Sequence, residues 1–103
     1  MTANERIALY KELWAVNGYE HQMHVAVEEM AELTSALVRK ERGRSGEGDI
    51  MYEIADVVIC MEQLALHFGV AKVIELKEAK LQRLKERLQA KRENIQGDSK
   101  TED

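Results

Sequence analysis

The sequence predicts an all-α protein, a four-helix, bundle-like subunit built around a single domain. Three observations carry that prediction: no proline interrupts the 103 residues, apolar residues make up 45% and charged residues 33%, and apolar side chains recur at three- and four-residue spacing through four segments. Proline is the commonest helix breaker, and a chain rich in charged and apolar residues but with only 5% aromatics favours amphipathic helices over a sheet. A chain of this length holds one core.

The first helix is expected to open at Thr2, with Glu5 completing the S/T-x-x-E arrangement that satisfies free amides at a helix start, and to close near Asn17 and Gly18. Ile7, Tyr10 and Trp14 line one stripe with Leu9, Leu13 and Val16 beside them, so most of this helix should pack on neighbours. Trp14 has two readings, a core anchor or a platform on which a flat heterocycle stacks. A second helix, about 20 to 42, carries Met23, Val27, Met30, Ala31, Leu37 and Val38 at helical spacing. Arg39, Lys40 and Arg42 crowd its end, where the negative pole of the helix dipole favours them and where contact with a ligand phosphate is the alternative. Gly43, Gly46 and Gly48 mark a flexible loop.

Asp49 is expected to cap a third helix reaching Phe68, with Gly69 interrupting it. A fourth helix, about 70 to 94, bears Ile74, Leu81, Leu84 and Leu88 among many charges, a coiled-coil-like seam for packing within the bundle or against a second chain. The domain should therefore span residues 1–95. The polar stretch 96–103 lacks a periodic apolar stripe and is expected to be disordered.

Composition also excludes. Net charge is −4 and the basic residues are interspersed with acidic ones, so the broad positive field of a nucleic-acid-polymer binder is missing. The lone Cys60 sits among Val58, Ile59 and Met61 and reads as a structural thiol in a reducing compartment. The first residues lack the basic start and continuous apolar stretch of a secretory signal, and no later run approaches membrane-spanning length. A cytoplasmic protein without membrane contact is the expectation.

The acids of the second and third helices carry the chemistry. Glu28, Glu29 and Glu32 lie away from the main apolar stripe of their helix and close to one another, a mildly unfavourable cluster unless a cation offsets it. On the third helix apolar residues cover most of the circumference, so that helix should be largely buried. At about 100° per residue, Glu53, Asp56, Cys60, Gln63 and His67 share one narrow strip. Carboxylates emerging from an apolar rod need protons, basic partners or a metal. A hard divalent cation held by Glu29, Glu32, Glu53 and Asp56 is the economical answer, and a salt-bridge network with Arg or Lys of the fourth helix is the structural alternative. Neither the Glu-x-x-His motif of ferritin-like di-iron sites nor the H-E-x-x-H motif of zinc hydrolases occurs, and His21 and His24 read as surface or helix-start residues.

Glu29-Met-Ala-Glu32 followed by Glu53-Ile-Ala-Asp56, with the EEMAEL and EIADVVI strings around them, resembles the MazG-like all-α nucleoside triphosphate pyrophosphohydrolases, whose hallmark is E-x-x-E on one helix and E-x-x-D on the next. The resemblance covers roughly residues 25–87. It implies Mg²⁺-dependent hydrolysis of nucleoside or deoxynucleoside triphosphates to monophosphate and pyrophosphate, in nucleotide-pool house-cleaning, with Mn²⁺ as a possible substitute. Mg²⁺ on the four acids would then neutralise the triphosphate and acidify a bound water, with Glu28 or Glu32 as the base that takes its proton. On the fourth helix the family's K-x-x-x-N-x-x-R is met by Lys80 and Arg87, with Leu84 in the Asn position. Lys80, Arg87 and Trp14 are the substrate-binding candidates, plain helix-surface charge being the other reading of the two cations. A small helical subunit leaves apolar surface uncovered, so a homo-oligomer, dimer or tetramer, is expected to complete the core. The competing functional reading is a catalytically inactive helical scaffold or protein-interaction module.

Overall fold

Local chemistry sets the helix ends. Thr2 accepts the N–H of Glu5 at 3.1 Å and starts a helix that stops at Gly18, whose N–H returns to Trp14 O at 3.0 Å. Gly18 sits at φ 90°, ψ 157°, a conformation open essentially to glycine alone, and it lets the next helix begin one residue later. That second helix ends in a Schellman motif: Arg44 N–H donates to Arg39 O (2.7 Å) and Gly43 N–H to Lys40 O (3.0 Å), with Gly43 at φ 72°. In the computed structural model, which describes the backbone of residues 1–44 and 46–101 and side chains through residue 96 except at 45, the helices are α1 (Ala3–Asn17), α2 (Tyr19–Glu41), α3 (Glu47–Phe68) and α4 (Val70–Thr101). No strand occurs among the described residues, and none of these helices alone is long and apolar enough to cross a membrane.

Two boundaries differ from expectation. The third helix starts two residues before Asp49, taking in Gly48. Asp49 lies in its first turn, where its carboxylate accepts the N–H of Gly46 at 3.4 Å and so caps the helix start from within. The fourth helix runs past residue 96 to Thr101; helix-forming Lys, Arg, Glu and Gln dominate residues 70–96, and no proline follows to break it. The predicted disorder of 96–103 is thus replaced by helix through 101, and residues 102 and 103 lie outside the described residues.

The chain divides into two units, Met1–Phe68 and Gly69–Asp103. In the first, α2 packs chiefly on α3 and α1 on α2. The face that α2 turns inward is Gln22, Ala26, Glu29 and Ala36, at i, i+4, i+7 and i+14, and the face of α3 that meets it is the polar strip with Cys60 and Gln63 buried. Small side chains such as Ala36, fully buried, let the helices approach closely. The apolar stripe of α2 points outward, with Val27 and Leu37 exposed, as do Met51, Ile54, Val58 and Met61 on α3. The sequence placed Glu29 off the packed face and predicted a largely buried α3. Within this unit the opposite holds, since two neighbouring helices cover only one side of α3 and that side is the polar one. Likewise α1 buries only Tyr10 and leaves Val16 76% exposed. The second unit is α4 by itself, and a lone helix cannot bury its Ile74–Leu81–Leu88 seam.

Candidate metal centre and adjoining groove

The two inward strips bring acids together. One carboxylate oxygen each from Glu29, Glu53 and Asp56 lies within 4.8 Å of the others, and all three residues are half-buried. A shell of oxygens about 2.0–2.6 Å from a divalent cation spans about 4–5 Å, so this spacing fits such an ion. Glu29 Oε2 and Glu53 Oε2 are enclosed and make no hydrogen bond, which is costly for carboxylates unless something positive reaches them. Donor chemistry agrees: three hard oxygens and no imidazole suit Mg²⁺ or Mn²⁺.

Electrostatics show how tightly the acids are coupled. Burial raises the Glu29 carboxyl above the ordinary carboxylate range, and the charges of Glu32, Asp56 and Glu53 add to the rise. Glu53 is raised by burial, then by Glu32 and Asp56, and is lowered by Arg39. Glu32 thus acts on both neighbours, although its own side chain is exposed on α2. The E-x-x-E and E-x-x-D acids are thus one interacting set. Arg39 extends the site: seven residues after Glu32, its Nη1 donates to Ser35 Oγ at 2.7 Å and its charge acts on Glu53. The sequence read it first as a partner of the helix dipole, with contact to a ligand phosphate as the alternative, and did not connect it with Glu53.

Beside the acids runs a groove of about 290 Å³ with Glu29, Asp56 and Cys60 at one part of its wall. Leu13, Val25 and Ile59 supply apolar surface, and Asn17, His21, Gln22 and Gln63 supply polar groups. The Cys60 thiol is pushed up by burial and by the charges of Glu29 and Asp56, so it stays protonated against the acids, in keeping with a structural role. His21 is exposed in the first turn of α2, as expected, and also lines the groove, whereas Asn17 and Gln22 went unread as site residues. Their signal was available in part, since Gln22 falls on the same α2 face as Ala26 and Glu29.

Of the other candidates, Glu28 is exposed and takes no part in the cluster of three. Trp14 is half-buried with its ring stacked on His67 (centroids 4.4 Å apart, planes 18°) and its edge toward Tyr19, while Nε1–H donates to Gln63 Oε1 at 3.0 Å. One indole face is therefore taken by His67, and its contribution to the groove passes through Gln63. Lys80 and Arg87 stand one above the other on α4 with Arg83 and Leu84 between them. Compared with family models, curated proteins and solved structures, the chain matches none.

Proposed function

We propose that this chain belongs to the class of metal-dependent hydrolases in which carboxylates from two packed helices hold the ion. Within that class we read it as a MazG-like pyrophosphohydrolase that cleaves nucleoside triphosphates to monophosphate and pyrophosphate. One observation supports this most: Glu29 and Glu53 each bury an oxygen without a partner at a point where Asp56 converges, next to a groove of small-molecule size. Glu29, Glu53 and Asp56 would hold Mg²⁺, with Glu32 completing the set. Bound there, the ion supplies charge neutralisation for the phosphates and a more acidic water. Neither Glu28 nor Glu32 is in the cluster of three, and Glu32 is the better placed base because it is exposed to solvent and its charge acts on both Glu29 and Glu53. Arg39, whose charge reaches Glu53, is positioned to balance an anionic substrate.

The working form is a homo-oligomer. Both α2 and α3 turn polar or small residues inward and large apolar residues outward, a pattern that leaves the main hydrophobic surface for a second copy. Incubation with a panel of canonical and modified triphosphates and Mg²⁺, scored for pyrophosphate release, tests the activity. Release from at least one substrate, abolished by chelator, is the expected result; a silent panel would leave the scaffold reading in its place.

A further inference from the structure

The groove wall holds a chain of amides whose direction is fixed. Trp14 Nε1–H and Gln22 Nε2–H both donate to Gln63 Oε1, each at 3.0 Å, and Asn17 Nδ2–H donates to Gln22 Oε1 at 3.0 Å. A carboxamide can ordinarily face either way, but an indole N–H can only donate. Trp14 therefore forces Gln63 to present its oxygen, which forces Gln22 to present its nitrogen, which in turn orients Asn17. Both lone pairs of Gln63 Oε1 are filled.

What remains at the two ends is unlike. Gln63 keeps its Nε2 donors, and Asn17 keeps its Oδ1 acceptor, with no partner for either among the described residues. Gln63 is only 7% exposed and Gln22 6%, yet both line the groove. Although Gln63 is buried as a residue, its Nε2 is not sealed off from solvent, so water or a ligand in the groove can accept from it. Leu13, Val25 and Ile59 add the apolar walls that a flat ring needs.

We propose that the Asn17–Gln22–Gln63 string, polarised by Trp14, is the base-reading element of the groove. It takes a single-ring heterocyclic base that offers an acceptor to Gln63 Nε2 and a donor to Asn17 Oδ1. The groove volume of about 290 Å³ lies at the bottom of the range for small-molecule sites, which suits one ring rather than two. A base seated there shares the groove with Glu29 and Asp56. This assignment of substrate class rests on the pyrophosphohydrolase reading, but base binding is measurable without phosphate, metal or turnover.

The chain has one tryptophan, so Trp14 emission reports the Gln63 contact directly. The full chain is titrated with cytidine, uridine, adenosine and guanosine in the absence of metal. A change in emission with at least one pyrimidine nucleoside, with both purine nucleosides weaker by about tenfold or more, is expected. Gln63→Glu keeps the acceptor for Trp14 and Gln22 but replaces the free donors with an acceptor, and Gln63→Met removes them without adding charge. Each should weaken pyrimidine binding by about tenfold or more while Mn²⁺ affinity, read by calorimetry, stays within about twofold. No nucleoside binding up to millimolar concentration, purines binding as well as pyrimidines, or wild-type affinity in both variants with helical circular dichroism intact would each overturn the proposal. Nucleoside binding without pyrophosphate release sinks the enzymatic reading and leaves the base site standing. Pyrophosphate release that is indifferent to both Gln63 variants on every base does the reverse.

Discussion

Tyr10 donates its phenolic O–H to Glu62 Oε2 at 2.7 Å, tying the middle of α1 to the far half of α3 across 52 residues of sequence. Arg6 Nε meets the same oxygen at 3.1 Å, so one carboxylate holds two turns of α1. Tyr10→Phe should cost about 1 kcal/mol of stability, the low end for a hydrogen bond to a charged group because Glu62 remains 41% exposed. Denaturant melts at neutral pH check this. The phenol is raised from 10.0 to about 12, first by burial and then by its bond to Glu62. Its contribution is fully present below pH 10.0 and is lost as pH rises through about 12, so wild type and Tyr10→Phe should converge in stability over that alkaline window.

The carboxylate cluster makes the opposite demand at low pH. Burial and like charge raise Glu29 and Glu53, so the folded protein holds their protons more tightly than the unfolded chain. Stability from this source is complete below the ordinary value of 4.5 and falls as pH rises through the raised values. Metal-free protein should therefore melt at lower temperature as pH climbs from acid to neutral, and Mg²⁺ should recover the loss. Glu53→Gln should raise the metal-free melting temperature at neutral pH while reducing Mn²⁺ affinity by more than about a hundredfold, beyond what loss of an outer hydrogen-bond partner costs. Calorimetry alongside thermal melts reads both quantities, and an unchanged Mn²⁺ affinity would remove Glu53 from the site.

The acids were legible in the sequence because E-x-x-E and E-x-x-D place side chains on one helical face, and periodicity also put Glu53, Asp56, Cys60 and Gln63 on one strip. Which face packs was not legible. Hydrophobic patterning assigns apolar stripes to the interior, and here the buried residues of the three-helix unit are Tyr10, Gln22, Ala26, Ala36, Cys60 and Gln63 while Val27 and Val58 lie outside. Hydrophobic periodicity records which face of a helix is apolar, not which face its neighbours in the chain cover. The amide string was hidden for another reason: hydrogen bonds spanning 41 and 49 residues leave no local spacing to read.

The two connecting glycines rank differently. Gly43 at φ 72° occupies the left-handed cap of α2, and a Cβ there would meet nothing within 4 Å, so Gly43→Ala should cost about 1 kcal/mol from backbone conformation alone. Gly18 is equally uncrowded, but its φ 90° and ψ 157° fall where other residues scarcely go, and Gly18→Ala should cost about 1–3 kcal/mol. Because Asn17 and Gln22 flank this turn, the same variant should also weaken occupancy of the groove. Urea melts of the two variants give the order, and an equal or reversed cost would mean that α1 and α2 meet differently.

Assembly gives the sharpest mutational contrast. Met51 is 64% and Val58 47% exposed, seven residues apart on one face of α3. On a solvated monomer, replacing an exposed valine by glutamate changes stability by no more than about 0.5 kcal/mol. At an interface between copies the same change buries an unpaired charge and should break the assembly, because desolvating a carboxylate without a partner outweighs the apolar burial that the rest of the face retains. Wild-type protein is expected to run as a dimer or larger species in size-exclusion chromatography with light scattering at micromolar concentration, and Val58→Glu to shift it toward monomer with loss of thermal stability. A wild-type monomer, or a Val58→Glu variant that assembles and melts as wild type, would place the outward apolar face of α3 against something other than a second copy.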